Sequence, residues 1–330
     1  MIRIRAIILP LACALALPAP AQRPQRLEGP PVTPVARGSF LRAEDHRVVS
    51  IVYRLGLAGR AYCPDPFPLT GLALHHLGDY RPADHATVIA QYGLDRGPGV
   101  LSVVEGSPAA RAGLRAGDAL LTVNGTRFRN PAEIAAARGS RDRRRLASAS
   151  EMQLEEQLRR GPALLEVVRD GAVRRVTLDS IPACPALGRL ARSGQDNAFA
   201  DGRYTIMTTD FLDEFRNDDE LAVALAHELA HNILRHPQQL EAEGVPHNFT
   251  RHLGRNARLV RATEIEADRL SVRLLAAAGF DLDAIIPFWR RLESRLDSRL
   301  MVISANPSLG ARERNFNEAI AEVRAAAPPR

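Results

Sequence analysis

Two histidines four residues apart, with a glutamate directly after the first, stand in Leu221–His236, LAVALAHELAHNILRH. Residues four apart on a helix share a face, one turn above each other. His227 and His231 can therefore present two imidazole nitrogens to one metal ion. Glu228 lies about 100° round the axis from His227. That suits it to take a proton from a water beside the metal rather than to ligate. Such a division of labour belongs to metal-dependent peptide hydrolysis. The bland alternative is a surface histidine pair beside a solvated carboxylate. It sits poorly with the apolar run around the pair, where partnerless imidazoles are costly to bury.

A catalytic zinc takes three protein ligands and keeps one position open. The stretch Ala262–Ala278, ATEIEADRLSVRLLAAA, supplies the third. Glu264 and Asp268 share a helical face there, and Glu266 points away from it. Glu264 is expected to ligate, and Asp268 to hold the ring N–H of a ligand histidine from behind. One zinc ion per chain is the expected cofactor. Read alone, the same stretch would be a charged face paired with Arg261, Arg269 and Arg273.

The first motif needs a helix to carry it. Asn217 is a suitable N-cap with Glu220 as its capping-box partner, and Pro237 stops the helix. His236, five residues past His231, is expected to turn away from the metal face. Upstream, Phe40–Gly59 has helical periodicity. Downstream, Asp281–Leu296 and Asn315–Ala325 read as two more helices. A short strand is expected over Leu72–Leu77. His75 and His76 are adjacent in it, face opposite sides, and read as structural residues.

HELAHNILRH followed by EIEAD resembles the gluzincins of the HtpX/BepA/CAAX-prenyl-protease-type family. Asn197–Leu212, NAFADGRYTIMTTDFL, resembles that family's edge strand and hairpin. The likeness runs from Asn197 to about Arg314. It implies His227, His231 and Glu264 as zinc ligands and Glu228 as general base. It also implies an edge strand at Asn197, Ala198, Phe199 and Ala200 that pairs with substrate backbone. Ala305-Asn306-Pro307 stands where the family often has Thr-His-Pro, so a loop histidine is missing. Arg312 falls where the family often has an arginine, and it reads as structural.

Gly97–Ser180 reads as a second module. Val100–Val104 and Ala119–Val123 are strand candidates, with a short helix over Ser107–Ala112 between them. Asn124-Gly125 is a hairpin-type turn, and Asp170-Gly171 joins strands Ala163–Arg169 and Ala172–Leu178. Glu151–Arg159 is amphipathic, and the Arg-rich Arg127–Ser150 looks like a loop insertion. GSPAARAGLRAGD is similar to PDZ domains of the bacterial HtrA type. The resemblance implies strand addition of a peptide in a groove between Gly99, Val100 and Leu101 and a helix at Leu154 and Leu158. Pro98 lacks an N–H for carboxylate capture, and Arg96 is the candidate compensation. The module holds no proposed ligand, so it is expected to govern substrate choice rather than chemistry.

The chain has 330 residues, 45% hydrophobic and 25% charged, which suits two globular domains. All 44 basic residues are arginine, and net charge is +6. No finger, RNP motif or Arg–aromatic cluster accompanies that balance, so nucleic acid is not an expected partner. Residues 1–21 read as a signal peptide: Arg3 and Arg5, an apolar Ala6–Leu17, and Ala19-Pro20-Ala21 for cleavage. Pro10 and Leu11 fit a lipobox poorly, so Cys13 is not expected to be lipidated. No later stretch reaches the ~20 apolar residues of a membrane helix. The protein is expected in the periplasm, with peripheral association as the only envelope contact. Cys63 and Cys184 then remain as the only two cysteines, in an oxidising compartment, and are expected to pair.

The fold expected is α+β: a zincin-like metallopeptidase core, mostly helical with a small antiparallel sheet, carrying an inserted β-rich PDZ-like domain. Residues 22–38 are a flexible lead-in, 39–92 the first part of the peptidase, 93–182 the PDZ-like domain and 183–330 the catalytic domain. The function expected is an exported zinc metalloendopeptidase acting on envelope or misfolded proteins, with the PDZ-like domain selecting them. The rival is a peptide-binding chaperone whose zinc is structural. That site would need a fourth ligand, for which His247 and His252 are the candidates.

Overall fold

Val48, Ile51, Val52 and Leu55 recur at helical spacing and are all buried. They put one apolar stripe on α1 (Pro34–Ala58). The computed structural model of the chain describes residues 34–137, 139–192, 197–246, 253–300 and 307–326. The expected signal peptide, His247, His252 and Asn306 lie outside them. By contacts the chain divides into Met1–Ser39 and Phe40–Arg330, and the two larger hydrophobic cores belong to the second unit.

Beyond α1 come strands β1 (Phe67–Leu69) and β2 (Leu72–His75) and helix α2 (His85–Tyr92). The module that follows contains β3 (Gly99–Val103), α3 (Pro108–Arg111), β4 (Ala119–Val123), β5 (Thr126–Arg127), α4 (Pro131–Ala136), α5 (Gly139–Arg160), β6 (Ala163–Arg169) and β7 (Ala172–Leu178). Its sheet runs β2-β3-β4-β6-β7, with β5 on β4. Asn124-Gly125 and Asp170-Gly171 both take the left-handed conformation that two-residue hairpin turns require. Two expectations need correcting. The Arg-rich stretch 127–150 is mostly helix, because α5 begins at Gly139 and runs unbroken into the amphipathic part. The module also begins earlier than residue 93. Leu72–His75 pairs antiparallel with β3, and Leu74 sits in the module's own core with Val100, Leu120, Leu154 and Leu165.

The chain returns through β8 (Ile181–Ala183) to β9 (Leu187–Ala191), β10 (Ala198–Ala200) and β11 (Tyr204–Thr208). Helices α6 (Asp218–Ile233), α7 (His236–Ala242), α8 (Gly254–Ala277), α9 (Ile285–Leu300) and α10 (Leu309–Ala326) complete it. The three-stranded sheet is ordered β10-β11-β9. It is mixed rather than antiparallel throughout, since β9 pairs with β11 in parallel. Leu221, Leu225, Leu229, Leu274, Leu275 and Phe288 fill one core from α6, α8 and α9. The α+β class is the one expected.

Where the module joins the peptidase, β1 pairs with β8, Phe67 opposite Ala183. One residue further, Cys184 is bonded to Cys63 with Cα atoms 5.4 Å apart. Ladder and disulfide together tie both ends of the insertion.

A buried polar cluster ties its middle. Glu151 of α5 meets Arg189 of β9 in an ion pair and accepts from the Tyr204 hydroxyl of β11 at 2.7 Å. His76 Nε2 lies 3.4 Å from the same carboxylate, and Arg203 bonds Glu155 through Nη1 at 3.1 Å. The Arg189 guanidinium also covers the Tyr204 ring, 4.2 Å from its centroid, inside the about 6 Å reach of a cation–π contact. Burial pushes the Glu151 carboxyl up, but Arg189, His76 and Tyr204 outweigh it and hold it at about 2. Burial pushes the Tyr204 hydroxyl up to about 12, with the Glu151 charge adding to it.

Candidate active site

Helix α6 starts where Asn217 accepts from Glu220 N–H at 2.9 Å. Glu220 reaches one residue further back than a capping box requires. It accepts from the N–H of Arg216 at 2.8 Å and is held by Arg291 at 2.6 and 2.9 Å. Asp218, Asp219 and Glu220 fill the first turn, where the helix dipole favours negative charge. One turn above its midpoint the helix presents His227 and His231.

Their Nε2 atoms stand 3.1 Å apart. Glu264 of α8 brings Oε2 to 3.3 Å from His227 Nε2 and Oε1 to 3.6 Å from His231 Nε2. A tetrahedral ion with bonds of about 2.0–2.1 Å has ligands about 3.3 Å from one another. Each imidazole nitrogen thus lies near that spacing from the other and from one oxygen of the Glu264 carboxylate. Among the described residues this is the one cluster of three or more metal-binding side chains.

Asp268 lies behind His227, with Oδ1 3.0 Å from Nδ1, though the ring N–H is poorly aligned with it. Asp268 is fully buried and is gripped by Arg312 of α10, through Nε at 2.9 Å and Nη2 at 2.5 Å. The Arg312 guanidinium in turn lies 3.6 Å from the centre of the Trp289 ring, whose edge meets His227. Reading Arg312 as structural understates it, because its partner Asp268 stands directly behind His227.

The electrostatics of these side chains follow their packing. Burial opposes a charged His227, and Asp268 and Glu264 more than offset it, pushing the imidazole up to about 10. Burial and the charge of His227 push His231 down to about 3. Burial raises Glu264, but His227 and His231 prevail and hold its carboxyl at about 2. Asp268 is likewise below its usual range, since Arg312 and His227 overcome burial. Glu228 moves the other way: burial, reinforced by Glu264, pushes it up to about 7 against the pull of His227 and a hydrogen bond from the Ala200 backbone.

That last contact places Ala200 at the site. β10 is the outer strand of its sheet, with Ala198, Phe199 and Ala200 opposite Met207, Ile206 and Thr205. Asn197 precedes the strand, and its N–H is taken by Thr208 Oγ1 at 2.9 Å. Helix α6 fixes the hairpin, because Asn232 accepts from Gly202 N–H at 2.9 Å. Gly202 has φ +90°, and a Cβ there would lie 2.5 Å from Gln238.

Two sequence readings fail here. Leu221–His236 is not one helix. It ends at Ile233, Arg235 takes a left-handed φ of 58°, and His236 opens α7 with Pro237 in the first turn. His236 therefore folds back toward the site: its Nδ1 lies 2.9 Å from Nδ1 of His231. Proline after His236 was the available signal, since proline favours a helix's first turn as much as it ends one. The expected peptide groove also lacks the free edge it was given. Gly99 and Val100 are buried in β3, which has β2 on one side and β4 on the other, so they offer no free edge. The open edge is β2. It shares with Leu101, Leu154 and Leu158 a cavity of about 920 Å³ that extends to β9.

Comparison with known proteins finds two family profiles in the chain. The Peptidase family M48 profile matches residues 176–251, and the PDZ domain profile matches residues 99–145. The chain thus holds one segment similar to Peptidase family M48 and another similar to PDZ domains. The chain is also similar to the mitochondrial metalloendopeptidase OMA1 of Schizosaccharomyces pombe, 28% identical over 128 residues, which are 32% of this chain and 38% of that relative. Glu264, Asp268 and Arg312 lie beyond the M48 match, so their place in the site rests on geometry.

Proposed function

We propose that the chain is a zinc metalloendopeptidase with His227, His231 and Glu264 as ligands and Glu228 as general base. The carrying observation is the convergence of those three side chains at tetrahedral spacing, with a glutamate of raised pKa beside them. Zinc bound there supplies a Lewis acid that polarises the scissile carbonyl and eases ionisation of the attacking water. Glu228 accepts that water's proton and returns it to the leaving amine, so that a C–O bond forms as the C–N bond breaks. A carboxylate within reach of that water can serve both transfers. Asp268, held by Arg312, fixes the ring of His227. The outer edge of β10 takes substrate backbone as an added strand.

The wider reading is of an exported, periplasmic enzyme acting on envelope or misfolded proteins, with the PDZ domain choosing them at the β2 edge. Among the described residues no helix is long and apolar enough to cross a membrane. The test compares cleavage of unfolded casein by wild type, Glu228→Gln and chelated enzyme, with zinc content measured on each. Glu228→Gln keeps its zinc and loses about 10²–10⁴-fold in rate. A zinc-loaded wild type that cleaves nothing, or a variant as fast as wild type, overturns the mechanism and favours the chaperone.

A further inference from the structure

A neutral imidazole carries one N–H. A histidine that ligates through Nε2 must therefore carry its proton on Nδ1, and that proton needs an acceptor. For His227 the acceptor is Asp268. For His231 the nearest described polar partner of Nδ1 is another imidazole, His236 Nδ1 at 2.9 Å. If His231 Nδ1 donates, His236 must accept at Nδ1, and its own proton must sit on Nε2. That atom lies 3.3 Å from Glu266 Oε2. The three residues thus form an ordered run of donors and acceptors in which one choice of nitrogen on His231 settles the rest.

The backbone supports this arrangement at a cost. His236 is 1% exposed and comes back toward His231 only because Arg235 adopts a left-handed conformation without being glycine. That conformation is disfavoured for a residue that carries a Cβ. The ring stands at 72° to that of His231, centroids 5.0 Å apart, so the two meet edge to face rather than stacking.

We propose that His236, backed by Glu266, is a positioning residue for the metal centre: it accepts the Nδ1 proton of His231 and so presents His231 Nε2 to the ion. The inference rests on the zinc reading above. Outer partners of this kind are worth about 10–100-fold in metal affinity.

The test measures zinc dissociation constants by chelator competition at fixed pH, with circular dichroism to follow the fold. His236→Phe keeps the ring and removes the acceptor, and is expected to weaken zinc about 10–100-fold. His236→Asn places an amide oxygen near the position of Nδ1 and is expected to retain most of the affinity. Glu266→Gln, at a mostly exposed carboxylate, is expected to have a smaller effect in the same direction. Equal affinity in His236→Phe and wild type overturns the proposal, as does an Asn variant as weak as the Phe variant. Should the Phe variant not fold, ¹⁵N resonances of zinc-loaded wild type decide. His236 protonated on Nε2 and bare on Nδ1 supports the proposal, and the reverse tautomer overturns it. A wild type that binds no zinc removes the metal reading itself, a result distinct from all of these.

Discussion

Arg312 holds Asp268 through two charge-assisted hydrogen bonds of 2.9 and 2.5 Å, and Asp268 Oδ1 is the same atom that lies 3.0 Å from His227 Nδ1. One carboxylate thus joins the last helix to the metal-facing histidine. Arg312→Ala leaves that carboxylate buried without its cation, which costs about 3–5 kcal/mol. Urea denaturation should show that loss, together with weaker metal binding. Arg312→Lys should recover only part of it, since an ammonium cannot make the paired contact.

Glu264→Ala removes the ligand proposed for α8. The variant is expected to fold, because Glu264 belongs to neither hydrophobic core, and to retain only a small fraction of wild-type metal after dialysis. Elemental analysis checks it. Full retention would remove Glu264 from the ligand set.

Glu151→Gln discharges the carboxylate that joins α5 to β9 and β11. The folded carboxyl is held at about 2 against an ordinary 4.5. Its stabilising effect is therefore fully present above about pH 4.5 and is lost as pH falls through about 2. The shift corresponds to about 3 kcal/mol at neutral pH. Denaturation curves between pH 2 and 6 should show wild type losing this increment on acidification and the variant lacking it throughout.

Deleting Gly97–Leu178 looks neutral to the chemistry from the sequence, because no ligand lies within it. The structure predicts otherwise. The deletion removes Glu151 and Glu155, leaving Arg203 without either and Arg189 with only the longer contact to Asp79 at 3.8 Å. Short-peptide cleavage should fall along with protein cleavage. Restoring the short-peptide rate by also replacing Arg189 and Arg203 with neutral residues would confirm the cause.

Replacing Cys63 and Cys184 by serine opens a loop of 121 residues. Loop entropy sets a ceiling of about 4–5 kcal/mol on the loss. The urea midpoint of oxidised wild type, compared with the double variant, measures it.

His227 and His231 were legible in the sequence because helix spacing puts them on one face, whereas Glu264 reaches them only through the packing of α8 against α6, which the family resemblance and not the spacing implied. Asp268 was legible from the helical face it shares with Glu264. His236 was not, since its position depends on one left-handed residue that no periodicity announces. The polar cluster at Glu151 was equally hidden. Arg189, Tyr204 and Glu151 are scattered along the chain, and each reads as an ordinary surface residue until β9, β11 and α5 are packed. The strand at Leu72–His75 was found but given to the wrong domain, because pairing partners are set by tertiary contact and not by local pattern.

The bond between Cys63 and Cys184 has a consequence for a molecule that cuts polypeptides. Every peptide bond from Pro64 to Ala183 lies inside the ring it closes. A single cut there, by another protease or by a second copy of this chain, yields two pieces that stay covalently joined. The β1–β8 ladder and the Glu151 cluster continue to hold them in register. Such a nicked chain would keep its mass on a non-reducing gel and divide only when the disulfide is reduced.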